Sequence, residues 1–174
     1  YNEDNLVEQA TVDILADIGW EIQTAWHNEI FGVNGNLGRE NKSEVILQKY
    51  LLVALENLNP DLPQSAYKDA YFQIAGREAD KTLDRTNKEK YELIKSGVKV
   101  SFTNDKGELT KKTLKVFDFN NPDNNHFLAV RQLEVTGELY NRRPDVVGFV
   151  NGIPLVFFEL KAHTRDLRHA YDDN

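Results

Sequence analysis

The run Arg143-Pro144-Asp145-Val146-Val147-Gly148-Phe149-Val150-Asn151-Gly152-Ile153-Pro154-Leu155-Val156-Phe157-Phe158-Glu159-Leu160-Lys161 constrains the fold more than any other part of the chain. Two apolar segments flank Asn151-Gly152, a dipeptide suited to a tight turn of left-handed residues, and together they predict a β-hairpin. Neither segment reserves a polar face for water, so both strands are expected mid-sheet, covered above and below. Charge is confined to the open end: Asp145 enters the first strand, and Glu159 and Lys161 leave the second. Side chains two apart on a strand share a face, so Glu159 and Lys161 point the same way. A carboxylate at such a rim loses hydration and needs a cation; Lys161 is one candidate and a metal ion the other.

Parity adds a constraint. A plain two-residue loop pairs Val150 with Ile153 and, counted outward, Asp145 with Phe158. Asp145 and Glu159 then face opposite sides, because a slip of one residue reverses the face. A site shared by both acids therefore requires an odd loop or a bulge. One solution is a three-residue loop with Gly152 left-handed, which pairs Phe149 with Ile153 and Asp145 with Phe157.

The rest of the chain supplies context. Its 174 residues predict a single domain with a substantial core, burying roughly 70% of the unfolded surface. With no cysteine, disulfides and thiolate metal sites are excluded, and His27, His126, His163 and His169 are too scattered for zinc. No apolar run approaches the roughly 20 residues that span a bilayer, so a cytoplasmic protein is expected. The lack of methionine, and an end inside a helical pattern, predict an excerpt of a longer chain. A net charge of −7 does not suit a stand-alone DNA binder. Arg142, Arg143, Lys161, His163, Arg165, Arg168 and His169 nevertheless crowd the hairpin's open end, so DNA would be held there mainly by another domain or subunit.

Periodicity predicts a helix over Leu6–Ile18 with Leu6, Val7, Ala10, Ile14 and Ile18 on its apolar stripe, and a second over Ser43–Leu58, ended by Pro60 and Pro63. Helical patterns follow at 64–80 and 87–95, then strands at Val98–Phe102, Leu114–Phe119 and Phe127–Val135, and a helix from Thr164 onward. The glycine-rich stretch 31–41 lacks the Gly-Lys-Ser/Thr ending of a phosphate loop and is rejected as a nucleotide site. Trp20 and Trp26 read as core or half-buried anchors. The order gives a mainly helical part, 1–97, and a sheet core with the hairpin, 98–174. The class is an α/β sandwich with a mixed central sheet flanked by helices.

Asp…Glu-x-Lys alone recurs by chance at solvated strand ends. Pro144, the apolar strands and the charge-free interval between the acids give it weight here. Mg²⁺ takes oxygen ligands, typically one or two carboxylates plus a substrate phosphate, and activates water for in-line attack. Asp145 and Glu159 are the candidate ligands. Lys161 is the candidate for orienting the water and stabilising charge on the phosphoryl group, with a plain ion pair as its alternative. Glu8, beside Val12 and Leu15 at the edge of the predicted stripe, is a fourth candidate, with a solvated surface glutamate as its alternative. Arg142, Arg143, Arg165 and Arg168 are candidates for phosphate contacts.

These residues resemble a known family. Pro144-Asp145 with Glu159-Leu160-Lys161 resembles the PD-(D/E)xK nuclease motif, and the run from Tyr140 to Lys161 resembles the N-terminal domain of type I restriction enzyme R (HsdR) subunits. Glu8-Gln9 ahead of Leu15 and Gly19-Trp20, and the blocks Leu37-Gly38-Arg39-Glu40, Leu58-Asn59-Pro60 and Gly97-Val98-Lys99-Val100, extend the similarity along nearly the whole chain. The resemblance implies a restriction-endonuclease-like fold and a type I site-specific deoxyribonuclease that cuts double-stranded DNA with Mg²⁺. It also implies an ATP-driven motor elsewhere in the full-length subunit, and methylation and specificity subunits as partners. Two rival expectations stand beside it: another PD-(D/E)xK repair or junction nuclease, and a non-catalytic nuclease-like docking module.

Overall fold

A computed structural model describes residues 3–76, 81–137 and 140–160. In chain order the elements are α1 (Glu3–Asp17), β1 (Glu21–Thr24), α2 (Gln48–Leu58), α3 (Gln64–Ala75), α4 (Leu83–Ser96), β2 (Val98–Thr103) and β3 (Leu109–Leu114). A 3₁₀ turn (Pro122–Asn124) leads to β4 (Phe127–Arg131), β5 (Val135–Thr136), β6 (Asn141–Arg142), β7 (Val146–Val150) and β8 (Ile153–Phe158). The result is a mixed α/β fold with a mixed central sheet, as expected. It forms two compact units: one draws on residues before 48 and after 126, the other consists of residues 48–126.

The first unit holds the central sheet, in the order β1-β4-β7-β8. β1 runs parallel to β4, whereas β4–β7 and β7–β8 are antiparallel. β1 was not anticipated from the sequence: four residues, Glu21-Ile22-Gln23-Thr24, are too few and too polar to show a strand pattern. β7 matches the expected doubly covered strand, with Val146, Val147, Gly148 and Phe149 buried. β8 does not. It has one neighbour among the described residues, and Leu155, Val156 and Phe157 are exposed. Gly148 makes room for a ring: a Cβ there would lie 2.9 Å from Trp20 and 3.2 Å from Val156.

Helix α1 packs on this sheet by a face other than the expected one. Leu6, Ile14 and Ile18 are exposed, while Glu8, Val12 and Leu15 are buried. Steps of four and three place those three on one helix face. Val12 and Leu15 meet Ala129 and Val146, with Trp20, Ile22 and Phe158 around them. The apolar count favoured the wrong stripe because the buried one contains a glutamate.

Between β1 and α2 the chain has no regular element, and α2 begins five residues later than the predicted Ser43. The Asn41 side chain accepts hydrogen bonds from the Ser43 N–H and hydroxyl, a local turn that competes with helix. Fully buried Arg39 organises the segment. Its guanidinium forks onto Glu29 at 2.7 and 2.6 Å and donates to the Glu44 and Glu134 carbonyls. Paired and fully bonded, the charge is tolerable in the interior.

In the second unit β2 alternates as expected, with Val98, Val100 and Phe102 turned inward. The strand predicted at Leu114–Phe119 is displaced: β3 ends at Leu114. The Lys115 N–H and C=O are instead satisfied by the buried amide of Asn59, which does the work of a strand partner. Similarly, the stretch predicted as one strand to Val135 breaks at Gln132, whose φ is 51°. The helix expected from Thr164 lies outside the described residues.

Breaking a buried ion pair leaves an uncompensated charge and typically costs about 3–5 kcal/mol. Arg39→Ala is therefore expected to lower the stability of the chain by about that amount, measured as the shift of its urea midpoint. A loss under about 1 kcal/mol, the range of an exposed pair, would show that Arg39 does not organise the segment.

Candidate active site

The hairpin turn is the tight two-residue form, with Val150 paired to Ile153 and positive φ at both Asn151 (51°) and Gly152 (78°). That sign at both central positions is what a type I′ turn requires. The three-residue loop is thus not used, although Gly152 is left-handed. The irregularity lies further along: Phe149 pairs with Pro154 but Gly148 with Val156, leaving Leu155 unpaired. The bulge restores the parity that the tight turn would have denied. Val146 pairs with Phe158, so one step outward Asp145 stands opposite Glu159, on the same face of the sheet.

Asp145 is fixed at both oxygens. Oδ2 accepts from the Leu160 N–H at 2.7 Å, and Oδ1 accepts from Gln132 Nε2 at 3.2 Å. The first bond ties the start of β7 to the chain leaving β8. The second leads to Glu8, because the same Gln132 amide donates to Glu8 Oε2 at 2.8 Å. Glu8 Oε1 takes Arg131 Nε at 2.7 Å, and Arg131 Nη1 reaches Gln9 at 3.0 Å. Glu8 is only 5% exposed, so of its two sequence readings the buried one holds. Asp145 and Glu8 are joined through one side chain.

Backbone geometry makes this network available. Successive strand residues point to opposite faces, so Arg131 and Gln132 would ordinarily diverge. Gln132 instead adopts a left-handed conformation while its N–H still donates to the Asp145 carbonyl at 2.9 Å. Both side chains then reach Glu8. A left-handed non-glycine residue costs about 1–2 kcal/mol, and such strain clusters at functional sites. Sequence reasoning missed Gln132 and Arg131; the available signal was a polar pair closing the apolar run Phe127–Val130.

The other candidates divide. Arg143 lies over the Trp26 ring, 3.9 Å from its centroid, and Arg142 over Tyr140 at 5.1 Å. Lys161, Arg165 and Arg168 lie outside the described residues. Beside Gln132 a cleft of about 290 Å³ is lined by Trp26, His27, Phe31, Lys42 and Glu134 among others. The Lys42 ammonium, bonded to Glu134, holds that carboxyl below its usual range, and the charges of Arg143 and His27 add to the effect. Among the described residues, no group of three or more His, Asp or Glu side chains could hold a metal by itself, and no helix is long and apolar enough to cross a membrane.

Residues 1–173 match the family described as type I restriction enzyme R protein N terminus. The chain is 36% identical over 173 residues to the type I restriction enzyme HindI endonuclease subunit of Haemophilus influenzae, covering 97% of this chain and 16% of that protein. It is 31% identical over 183 residues to the putative type I restriction enzyme MjaIXP endonuclease subunit of Methanocaldococcus jannaschii, covering 99% of this chain and 16% of the relative. A second protein of that organism, the putative MjaVIIP endonuclease subunit, is 42% identical over 52 residues, 30% of this chain and 5% of its own length. The chain thus spans about a sixth of the two relatives it matches end to end.

The left-handed turn at Gln132 yields a sign that can be measured. Gln132→Ala and Gln132→Gly both remove the bridge between Glu8 and Asp145, but only glycine relieves the backbone. The Gly variant is expected to be the more stable by about 1 kcal/mol in urea unfolding, the reverse of the usual order in a strand. An Ala variant equal to or more stable than the Gly variant contradicts the conformation.

Proposed function

Because this chain belongs to the family of N-terminal regions of type I restriction enzyme R proteins, we propose that it is the Mg²⁺-dependent endonuclease domain of such a subunit, hydrolysing phosphodiester bonds of double-stranded DNA. The observation that carries the reading is the Leu155 bulge, which turns Asp145 and Glu159 to one face at the rim of the sheet. A hairpin needs no bulge to close a tight Asn-Gly turn. Its effect here is to bring the two acids together.

The donor set fits a hard divalent cation. Each Asp145 oxygen accepts one of the two bonds its lone pairs allow, so each keeps capacity for a ligand. Glu159 is exposed and adds a second carboxylate. Two carboxylates suffice for Mg²⁺ only when a substrate phosphate and waters complete the shell, which is its usual habit at phosphate-processing sites. What the bound cation supplies is neutralisation at the phosphoryl oxygen and a more acidic water.

The chain's own residues do the rest. Asp145 and Glu159 hold the cation and the phosphate against the rim. Lys161, two residues beyond Glu159, provides an ammonium for the charge that builds on the phosphoryl oxygens. Glu8 acts as a positioning residue: fixed by Arg131, it holds the Gln132 amide that in turn holds Asp145. Arg142 and Arg143 sit beside this rim as phosphate contacts. The acidic net charge leaves most of the grip on DNA to the remainder of the subunit and its partners. In this reading the full-length chain also carries an ATP-driven motor and works in the cytoplasm with methylation and specificity subunits.

The test is made in the assembled complex, measuring DNA cleavage and ATP hydrolysis separately. Asp145→Ala and Lys161→Ala are expected to lower cleavage at least about a hundredfold, the scale for losing one electrostatic stabiliser, and to leave ATP hydrolysis within about twofold, below the roughly fivefold that marks even weak coupling. Unchanged cleavage in both variants contradicts the proposal.

A further inference from the structure

The cleft beside Gln132 holds a cluster that the hydrolytic chemistry does not use. Trp26 is 42% exposed despite its size, and both its neighbours are built. The His27 ring stacks on it at 4.5 Å and 27°, and the Arg143 guanidinium lies 3.9 Å from its centroid. The turn that presents the pair is equally specific. The Asn28 and Glu29 N–H groups both donate to the Ala25 carbonyl, and His27 takes a left-handed φ of 60°. A solvated loop has no need of a strained residue to keep an indole and an imidazole face to face.

Its place in the sheet gives the cluster meaning. Thr24 pairs with Arg131, and Arg131 with Val146. One step beyond those pairs, Ala25, Gln132, Asp145 and Glu159 form a row across the rim. Trp26 follows directly, two strand spacings or about 10 Å along the row from Asp145. The cleft's carboxylates do not repel a phosphate unanswered, since Glu29 is paired to Arg39 and Glu134 to Lys42. Arg143 and His27 add cationic character at the mouth.

We infer that Trp26, flanked by Arg143 and His27, is a stacking platform that receives one unpaired nucleotide of the strand being cut. Its base lies on the aromatic group and its phosphate on Arg143. This rests on the nuclease reading above and adds a substrate preference to it. Bases stack on exposed aromatic rings with little regard to sequence, and arginine beside the ring strengthens the grip. A base inside an intact duplex cannot reach such a platform without unstacking, so the preferred substrate is DNA that is locally unpaired near the cut.

The experiment uses the full-length subunit in its complex and two DNAs, one a plain duplex and the other identical but with a short unpaired stretch. The unmodified enzyme is expected to cut the second DNA faster at low concentration. Trp26→Ala should raise KM for it by about tenfold, the scale of one base–aromatic stack, and abolish the preference, while Trp26→Phe retains most of it. Equal losses on both DNAs would mean a structural role for Trp26 and overturn the inference, as would no loss on either. Asp145→Ala run alongside separates the two claims. If it still cuts, the nuclease reading fails; if it is inactive while Trp26→Ala behaves as the unmodified enzyme, only the platform fails.

Discussion

The one unpaired residue in β8 governs much of what surrounds the site. A type I′ turn is the tightest way to reverse an extended chain, but its even loop fixes which residues face which side. Under it, Asp145 would oppose Phe158 and Glu159 would look away. Leaving Leu155 out of the ladder shifts every later residue by one. An apolar residue returns to the α1 side, where Phe158 packs with Val146 and Ala129, and a carboxylate comes opposite Asp145. One local change therefore serves the core and the rim at once. A bulge also sacrifices a ladder position, which an edge strand tolerates better than a central one; β8 is at the edge among the described residues.

Arg39 and Glu8 show two ways of keeping charge inside this unit. Arg39 is closed on all sides: Glu29 takes its fork and two carbonyls take its remaining donors, so the group holds a long irregular segment in place. Glu8 is buried almost as deeply, yet its network opens at one end through Gln132 onto Asp145. Buried polar networks are costly when partly satisfied and rigid when complete. A complete network that ends on a rim carboxylate passes its rigidity to that carboxylate. Gln132 is where this happens, and its left-handed backbone is the strain accepted to allow it.

The residues that could be read from the sequence are those whose role follows from local pattern. Asn151-Gly152 between apolar runs gives the hairpin, and counting along it shows that some irregularity is required. It could not say whether the turn or the strand would carry the irregularity, because Pro154-Leu155-Val156 has no residue that marks a bulge. Helix α1 was legible as a helix but not in its orientation. Hydrophobicity ranks Leu6, Ile14 and Ile18 above Glu8, and only the tertiary partner Arg131, more than a hundred residues away, reverses that order. The same holds for Asn59, whose amide replaces a strand partner for Lys115. Long-range polar partners leave no periodic trace.

The position of the site follows from sheet topology as much as from its residues. β1 and β4 run parallel and end together, and β7 starts where they stop. Three chain reversals therefore occur along one rim, and loop residues there can carry polar groups that strand interiors cannot. Asp145, Gln132 and Trp26 are all products of that coincidence: each is the first or second residue beyond a strand end. Glu8 reaches the same row from the helix above. In a chain of net charge −7, a rim where Lys42, Arg131, Arg142 and Arg143 gather is a local exception to the surrounding field. Screening limits an exposed charge's reach to about 10 Å at moderate ionic strength, so such an exception orients a phosphate that has already arrived better than it draws one from solution. Delivery and chemistry are then separate tasks, and this unit is built for the second.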